Sequence, residues 1–125
     1  MFSLKRLFSS FKTALEGLIF VFRTEPNFRL QILLGFVTIF LSYIFELRRS
    51  EWIIIVLLIS MVLVMEIFNT ALEQFTDLLK PRLHHYVKAV KDVMAAAVFM
   101  TALGALIVGI IIFWPHMASL INELM

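Results

Sequence analysis

One segment constrains this chain more than any other: residues 93–114 run from Val93 to Trp114 without a charged side chain. As a helix, a run of this length crosses the roughly 30 Å hydrocarbon core of a bilayer. A soluble domain of 125 residues could not bury it together with the rest of a chain that is 62% hydrophobic and 16% charged. The sequence therefore predicts an integral membrane protein with a single domain, residues 1–125.

Two further segments are apolar enough to cross the bilayer. Residues 30–46 carry no charge before Glu46, and residues 52–72 begin with Trp52, an aromatic residue of the kind found at membrane interfaces. The chain has no cysteine, which excludes disulfides and thiolate metal sites. We predict an all-α membrane protein with three transmembrane helices, at 30–46, 52–72 and 93–114.

The N-terminal segment, residues 1–22, has a different pattern. Its apolar residues recur at helical spacing, and charged residues occupy the other side: Lys5, Arg6, Lys12 and Glu16. This pattern predicts an amphipathic helix lying on the membrane surface, and a helix that binds a partner or packs in a bundle is the alternative. Pro26 predicts a helix boundary or a kink after this segment.

Lysine and arginine are distributed unevenly between the two sides of the predicted bundle. The segment before the first span contains Lys5, Arg6, Lys12, Arg23 and Arg29, and the loop between the second and third spans contains Lys80, Arg82, Lys88 and Lys91. The opposite side has only Arg48 and Arg49. By the positive-inside rule the N-terminus and the second loop are cytoplasmic. The net charge of +2 gives no indication of nucleic-acid binding.

Four polar residues follow one another at helical spacing from inside the second span: Glu66, Asn69, Glu73 and Asp77. At 100° per residue they lie within about 60° of one another, and we call them the acidic face. Glu66 and Asn69 could serve only to fix helix packing through hydrogen bonds to neighbouring helices. Glu73 and Asp77 could be ordinary solvated loop charges. The functional interpretation is a metal and phosphate site at the membrane surface, since carboxylate oxygens suit Mg²⁺ shared with substrate phosphates.

Two other regions are predicted to face the same side. Lys91 and Asp92 are expected at the start of the third helix, where free backbone N–H groups attract anions, and Glu25 precedes the first span at a similar depth. No glycine-rich phosphate loop or dinucleotide motif is present. A row of small residues on the third span predicts close helix packing, within the chain or between copies: Ala97, Thr101, Ala105 and Gly109.

These residues also form a recognisable pattern. The run Glu66-Ile-Phe-Asn-Thr-Ala-Leu-Glu73 is followed by Asp77, His84, Lys88-Ala-Val-Lys-Asp92 and Ala95-Ala-Ala-Val98, and preceded by Arg6, Gly17, Arg23-Thr-Glu25, Asn27-Phe-Arg29 and Glu51-Trp52. The sequence closely resembles the prokaryotic diacylglycerol kinase/undecaprenol kinase family over essentially the whole chain. It departs from the family pattern at Ala96, where many members have glycine, and at Pro26; neither departure removes a reacting group.

The resemblance implies a lipid kinase of the bacterial inner (plasma) membrane that uses ATP and Mg²⁺, assembled as a homotrimer with shared, cytoplasmic active sites. By matching position, Glu66 is the expected catalytic base, and Glu25 and Glu73 are the expected Mg²⁺ ligands. Lys91 and Asp92 are expected to contact ATP, and Asn69 and Asp77 to support the site. His84 is expected near the nucleotide, and Arg6 near the nucleotide or the lipid headgroup.

Two other functions are weighed against the sequence: a non-catalytic subunit and an ion pathway. A non-catalytic scaffold or regulatory subunit would not need Glu25, Glu66, Glu73, Lys91 and Asp92 together. A proton or cation pathway would need polar groups beyond Glu66, whereas residues 52–65 offer only Ser60. The family resemblance implies undecaprenol or diacylglycerol as the lipid substrate. The stretches Arg23-Thr-Glu25, Asn27-Phe28 and Glu51-Trp52 resemble those of undecaprenol kinases, which favours undecaprenol.

Overall fold

The computed structural model describes residues 3–79 and 82–125, and within these ranges the chain forms four helices. They are α1 (Leu4–Thr24), α2 (Pro26–Ile44), α3 (Arg49–Asp77) and α4 (His84–Leu124). Three of them, α2, α3 and α4, are long and apolar enough to cross a membrane, which confirms the predicted number of spans. The position of α1 on the membrane surface and the cytoplasmic N-terminus stay predictions.

The break between α1 and α2 follows from Pro26. Proline disfavours a helical backbone at the preceding residue, and Glu25 is extended, with φ −113° and ψ 106°. Pro26 then occupies the first turn of α2, where its missing N–H costs nothing. The guanidinium of Arg29 donates to the carbonyl oxygens of Phe22 (2.7 Å) and Arg23 (3.2 Å) at the end of α1. Because these carbonyls have no partner within α1, Arg29 stabilises the bend that holds Glu25.

The bundle is organised around α3. Helix α4 packs along α3, α2 packs on α3 as well, and α1 contacts α2 and α3. Among the described residues, α2 and α4 make no close backbone approach to each other, so α3 lies between them. At the end of the bundle opposite the acidic face, which we call the distal end, Leu47, Ile55 and Ile112 form a buried apolar cluster.

Two helices are longer than their predicted spans, and this corrects one expectation. The polar segment after residue 72 remains helical to Asp77, and α4 begins at His84 and continues through Pro115 to Leu124. Lys91 therefore lies in the third turn of α4, where backbone N–H groups bond within the helix. The expectation that Lys91 and Asp92 stand at a helix N-terminus with free N–H groups is wrong.

Candidate active site

Glu66 is the buried member of the acidic face. It lies on α3 with only 3% of its surface exposed, although it is inside an apolar helix. Its Oε2 atom is buried and, within residues 3–79 and 82–125, has no hydrogen-bond partner. A carboxylate oxygen without a donor is costly in an apolar environment. The position therefore suits a donor that arrives with a substrate, such as a hydroxyl group.

The burial of Glu66 does not require a second copy of the chain. Polar groups inside a span must not face lipid. Helices of the same chain already bury Glu66, together with Thr70, which is 2% exposed. The hydroxyl of Thr70 donates to the carbonyl oxygen of Glu66 at 3.0 Å, so it is satisfied within α3.

Asn69 and Glu73 continue the acidic face one and two turns further along α3. Both are half-buried, and the amide nitrogen of Asn69 donates to Oε1 of Glu73 at 3.3 Å. Residues four apart lie one above the other on a helix, so the periodicity predicts this pairing. Asn69 thus orients the Glu73 carboxylate, and the supporting role expected for it in the site stays a prediction.

Glu25 lies beside Glu73 of the same chain, because the bend at Pro26 turns the residue back toward α3. Burial raises the pKa of the Glu25 carboxyl above its ordinary value of 4.5, and the neighbouring Glu73 and the hydrogen bond shared with it raise it further. Glu66 adds a smaller effect of the same sign on the pKa of Glu25. Carboxylates close together repel each other unless a proton or a cation lies between them.

Glu25 and Glu73 are therefore the pair that could hold a divalent cation. Within the described ranges, no group of three or more His, Cys, Asp or Glu residues could hold a metal ion. Mg²⁺ does not require such a group, because it is commonly bound by one or two carboxylates together with water and substrate phosphates. The two hard oxygen donors fit that mode of binding.

The predicted nucleotide-contacting residues lie further along the bundle. The ammonium of Lys91 lies 2.9 Å from Oδ1 of Asp77, which joins α4 to the end of α3. The ammonium of Lys88 lies 2.9 Å from Oδ2 of Asp92, one turn away on α4. Asp77 stands about 16 Å from Glu66 along α3 at 1.5 Å per residue. The separation leaves room for the phosphates of a nucleotide between Lys91 and Glu66.

Two predicted residues are not brought to the carboxylates. Arg6 is exposed in the first turn of α1, and His84 begins α4 with its ring 6.1 Å from that of His85. Among the described residues, no hydrogen bond or ion pair joins Arg6 or His84 to Glu25, Glu66 or Glu73. Their expected nucleotide contacts stay predictions. Arg29 was predicted only as one of the cytoplasmic cations, although a cation three residues after a helix-breaking proline is placed to cap the preceding helix.

The chain is similar to known proteins over most of its length. The family model described as prokaryotic diacylglycerol kinase matches residues 12–113. The undecaprenol kinase of Bacillus subtilis is 37% identical over 114 residues, which cover 91% of this chain and 93% of that protein. A diacylglycerol kinase of Synechocystis is 33% identical over 91% of this chain and 66% of its own length. A diacylglycerol kinase of Pseudomonas aeruginosa is 30% identical over 78% of this chain and 79% of its own length. No solved structure gives a significant match.

The three membrane-length helices, the buried carboxylate and these relatives together define the class: the chain is a membrane lipid kinase. It belongs to the prokaryotic diacylglycerol kinase family. The matched range, residues 12–113, contains Glu25, the whole acidic face and Lys91, and leaves Arg6 outside.

Proposed function

We propose that this protein transfers the γ-phosphoryl group of ATP to the hydroxyl of a membrane lipid in a reaction that requires Mg²⁺. The observation that carries the proposal is the Oε2 atom of Glu66, which is buried and without a hydrogen-bond donor among the described residues. A lipid hydroxyl is the donor that this atom lacks. Glu25 and Glu73 lie toward the end of α3 where the phosphates would arrive.

In this mechanism Glu66 accepts the proton of the lipid hydroxyl as its oxygen bonds to the γ-phosphorus. The bond from the γ-phosphorus to the bridging oxygen of the β-phosphate breaks, and ADP leaves. A positioned base of this kind contributes about 10²–10⁴-fold to a reaction rate. Asn69 holds the Glu73 carboxylate in place through its 3.3 Å hydrogen bond.

Charge on the transferring phosphoryl group must be neutralised as it forms. Mg²⁺ held by Glu25 and Glu73 would supply a Lewis acid at the phosphate oxygens. Lys91, oriented by Asp77 at 2.9 Å, offers a mobile ammonium on the nucleotide side of these carboxylates. From the family resemblance we also assign Asp92 a contact with the nucleotide. His84 is assigned a position near the nucleotide, and Arg6 a position near the nucleotide or the lipid headgroup.

We propose undecaprenol as the preferred lipid and diacylglycerol as the alternative. The relative at 37% identity is named undecaprenol kinase, whereas the two at 33% and 30% are named diacylglycerol kinases. The proposed location is the inner (plasma) membrane of a bacterium, with the acidic face at the cytoplasmic side where ATP is present. This agrees with the excess of lysine and arginine on that side.

The test is phosphorylation by the purified protein, with Mg-ATP and the two lipids in competition. We expect transfer to undecaprenol to exceed transfer to diacylglycerol. Glu66→Gln should reduce turnover by at least about 10²-fold, because the amide keeps the size but cannot accept a proton. Glu123→Gln, at the exposed end of α4, is the matched control and should be fully active.

Two outcomes would contradict the proposal. Turnover like that of the unchanged protein in Glu66→Gln would remove Glu66 as the base. No transfer to either lipid, with the protein folded and ATP present, would favour a scaffold or regulatory subunit instead.

A further inference from the structure

Helix α4 continues past the distal end of the bundle. It has 41 residues, His84–Leu124, and passes through Pro115 without ending. Atom Nε2 of His116 lies 3.3 Å from Oε1 of Glu51, and α3 begins only two residues before Glu51, at Arg49. Residues 117–124, which follow His116, therefore extend past the start of α3. We call them the distal extension.

The distal extension has one apolar face. Its large apolar residues recur at spacings of three and four, lie within about 100° of one another around the helix axis, and are 44% to 80% exposed: Met117, Leu120, Ile121 and Leu124. The opposite side carries the polar residues Ser119, Asn122 and Glu123. Ile121 lies about 180° around α4 from Ile112, which is buried in the cluster with Ile55 of α3. The apolar face therefore points away from the bundle.

A straight α4 would carry this apolar face out of the membrane. The uncharged run 93–114 is about 32 Å long as a helix, close to the roughly 30 Å hydrocarbon core of a bilayer. Trp114, which is 67% exposed, ends this run where interfacial aromatic residues are found. The headgroup layer adds only about 5–8 Å on each side. Ile121 and Leu124 lie about 10 Å and 15 Å beyond Trp114 along the helix, so without a bend they would be in water.

Pro115 favours a bend that returns the apolar face to the membrane. Proline has no N–H to donate to the carbonyl oxygen of Ile111, and its ring crowds that oxygen. A helix therefore opens on the side of the proline and bends away from it. Pro115 lies about 120–180° around α4 from each of the four apolar residues of the extension. The bend thus tilts the extension toward its own apolar face, on the side turned from the bundle toward lipid.

We propose that the distal extension, bent at Pro115, lies in the headgroup layer of the membrane at the distal end, with its apolar face toward the hydrocarbon core. The partner is a lipid surface, and this contact does not depend on the function proposed for the acidic face. Burial of apolar side chains drives it, because Glu123 is the only charged residue in the range 117–124. The contact should therefore require neither anionic lipid nor low salt.

Spin labels on the two faces of the extension test the proposal. The chain has no cysteine, so a single one can be introduced by Ile121→Cys on the apolar face or by Ser119→Cys on the polar face. Both positions are exposed, which makes them a matched pair. Each variant carries a nitroxide in phosphatidylcholine vesicles. The ratio of collisions with oxygen to collisions with a water-soluble nickel chelate should be several-fold higher at position 121 than at position 119, in low and in high salt.

Three outcomes would overturn the inference. Equal access of the nickel chelate to both positions would place the extension in water. Magnetic coupling between labels at position 121, lost when labelled protein is diluted with unlabelled protein, would assign the apolar face to a second copy of the chain. Pro115→Ala should lower the oxygen-to-nickel ratio at position 121, because it removes the cause of the bend, and an unchanged ratio would exclude a bend at Pro115.

A second measurement needs no variant, and so it remains informative if the labelled variants do not fold. The unchanged protein is photolysed in vesicles whose phosphatidylcholine carries a diazirine on the acyl chain near the headgroup. We expect labelling of Met117 and Ile121, with Ser119 and Asn122 unlabelled. Labelling within residues 93–114 and none within 117–124 would contradict the proposal. Neither measurement uses an activity assay, so failure of the proposed function would leave both results interpretable.

Discussion

The ammonium nitrogen of Lys91 lies 2.9 Å from Oδ1 of Asp77, and this contact joins the third turn of α4 to the last residue of α3. The two side chains are 30% and 55% exposed, so the pair adds little to stability. The pair instead positions the Lys91 ammonium at the end of the bundle where the acidic face reaches the surface.

We expect Lys91→Ala to lower kcat/KM for ATP by about 10²-fold, because the phosphates lose a charged hydrogen-bond donor. Asp77→Asn should cost less, about tenfold, since Lys91 would remain but would be less well oriented. Steady-state kinetics with ATP varied would measure both effects. Arg49→Ala is the control, because it removes an exposed cation at the distal end. Equal losses in Lys91→Ala and Arg49→Ala would show that only net charge matters.

The magnesium requirement should depend on pH through Glu25. Its pKa is raised, so Glu25 begins to bind a proton above pH 4.5 as the pH falls. Mg²⁺ competes with that proton for the Glu25 carboxylate. The Mg²⁺ concentration that gives half-maximal activity should therefore rise as the pH is lowered from neutrality toward 4.5. Glu25→Gln should raise the requirement at neutral pH and reduce its change with pH.

The same raised pKa predicts an effect on stability. A carboxyl with a higher pKa in the folded protein favours folding when protonated, and this contribution is lost as the pH rises through the raised pKa. Added Mg²⁺ should therefore raise Tm more at neutral pH than near pH 4.5. Thermal unfolding in detergent measures this without any activity assay. Identical Mg²⁺ effects in Glu25→Ala, Glu73→Ala and the unchanged protein would place the metal elsewhere.

At the distal end, His116 of α4 lies 3.3 Å from Oε1 of Glu51 on α3, and the same oxygen accepts the backbone N–H of Arg48 at 2.9 Å. Glu51 is buried at 9% exposure, so removing a partner leaves a polar group poorly satisfied. We expect His116→Ala to destabilise the protein by about 1–3 kcal/mol. Unfolding in detergent, with His85→Ala as an exposed control, provides the measurement.

The contact between Glu51 and His116 also separates stability from catalysis. Glu51 is about 33 Å from Glu73 along α3 at 1.5 Å per residue. His116→Ala should therefore lower Tm while leaving KM for ATP unchanged at temperatures where the protein stays folded. A raised KM for ATP with an unchanged Tm would contradict both parts of this prediction.

Assembly is the last prediction, and it concerns the homotrimer with shared active sites that the family resemblance implies. One chain brings Glu25, Glu66 and Glu73 together and also pairs Lys91 with Asp77, so a shared site would take a further group, such as Arg6, from a neighbour. Co-expression of Glu66→Gln subunits with Arg6→Ala subunits should then give more activity than either variant alone. Light scattering in detergent gives the number of copies. A fully active monomer would exclude the trimer and the shared site.

The sequence by itself determined the class of fold and the acidic face. Apolar runs such as residues 93–114 can be stable only in lipid, and in lipid a single chain segment satisfies its backbone only as a helix, so the three spans follow from composition and length. The relation between Asn69 and Glu73 also follows from the sequence, because residues four apart on a helix are neighbours whatever surrounds them.

Only the tertiary structure decided which distant residues meet. The sequence did not predict that α4 begins at His84, because polar residues are compatible with a helix or a loop outside the membrane. It placed Glu25 at a similar depth to the acidic face, but the contact with Glu73 depends on the bend at Pro26, stabilised by Arg29. Glu51 and His116 are 65 residues apart and meet because α4 packs along α3. Such features arise from how helices pack, which local periodicity does not specify.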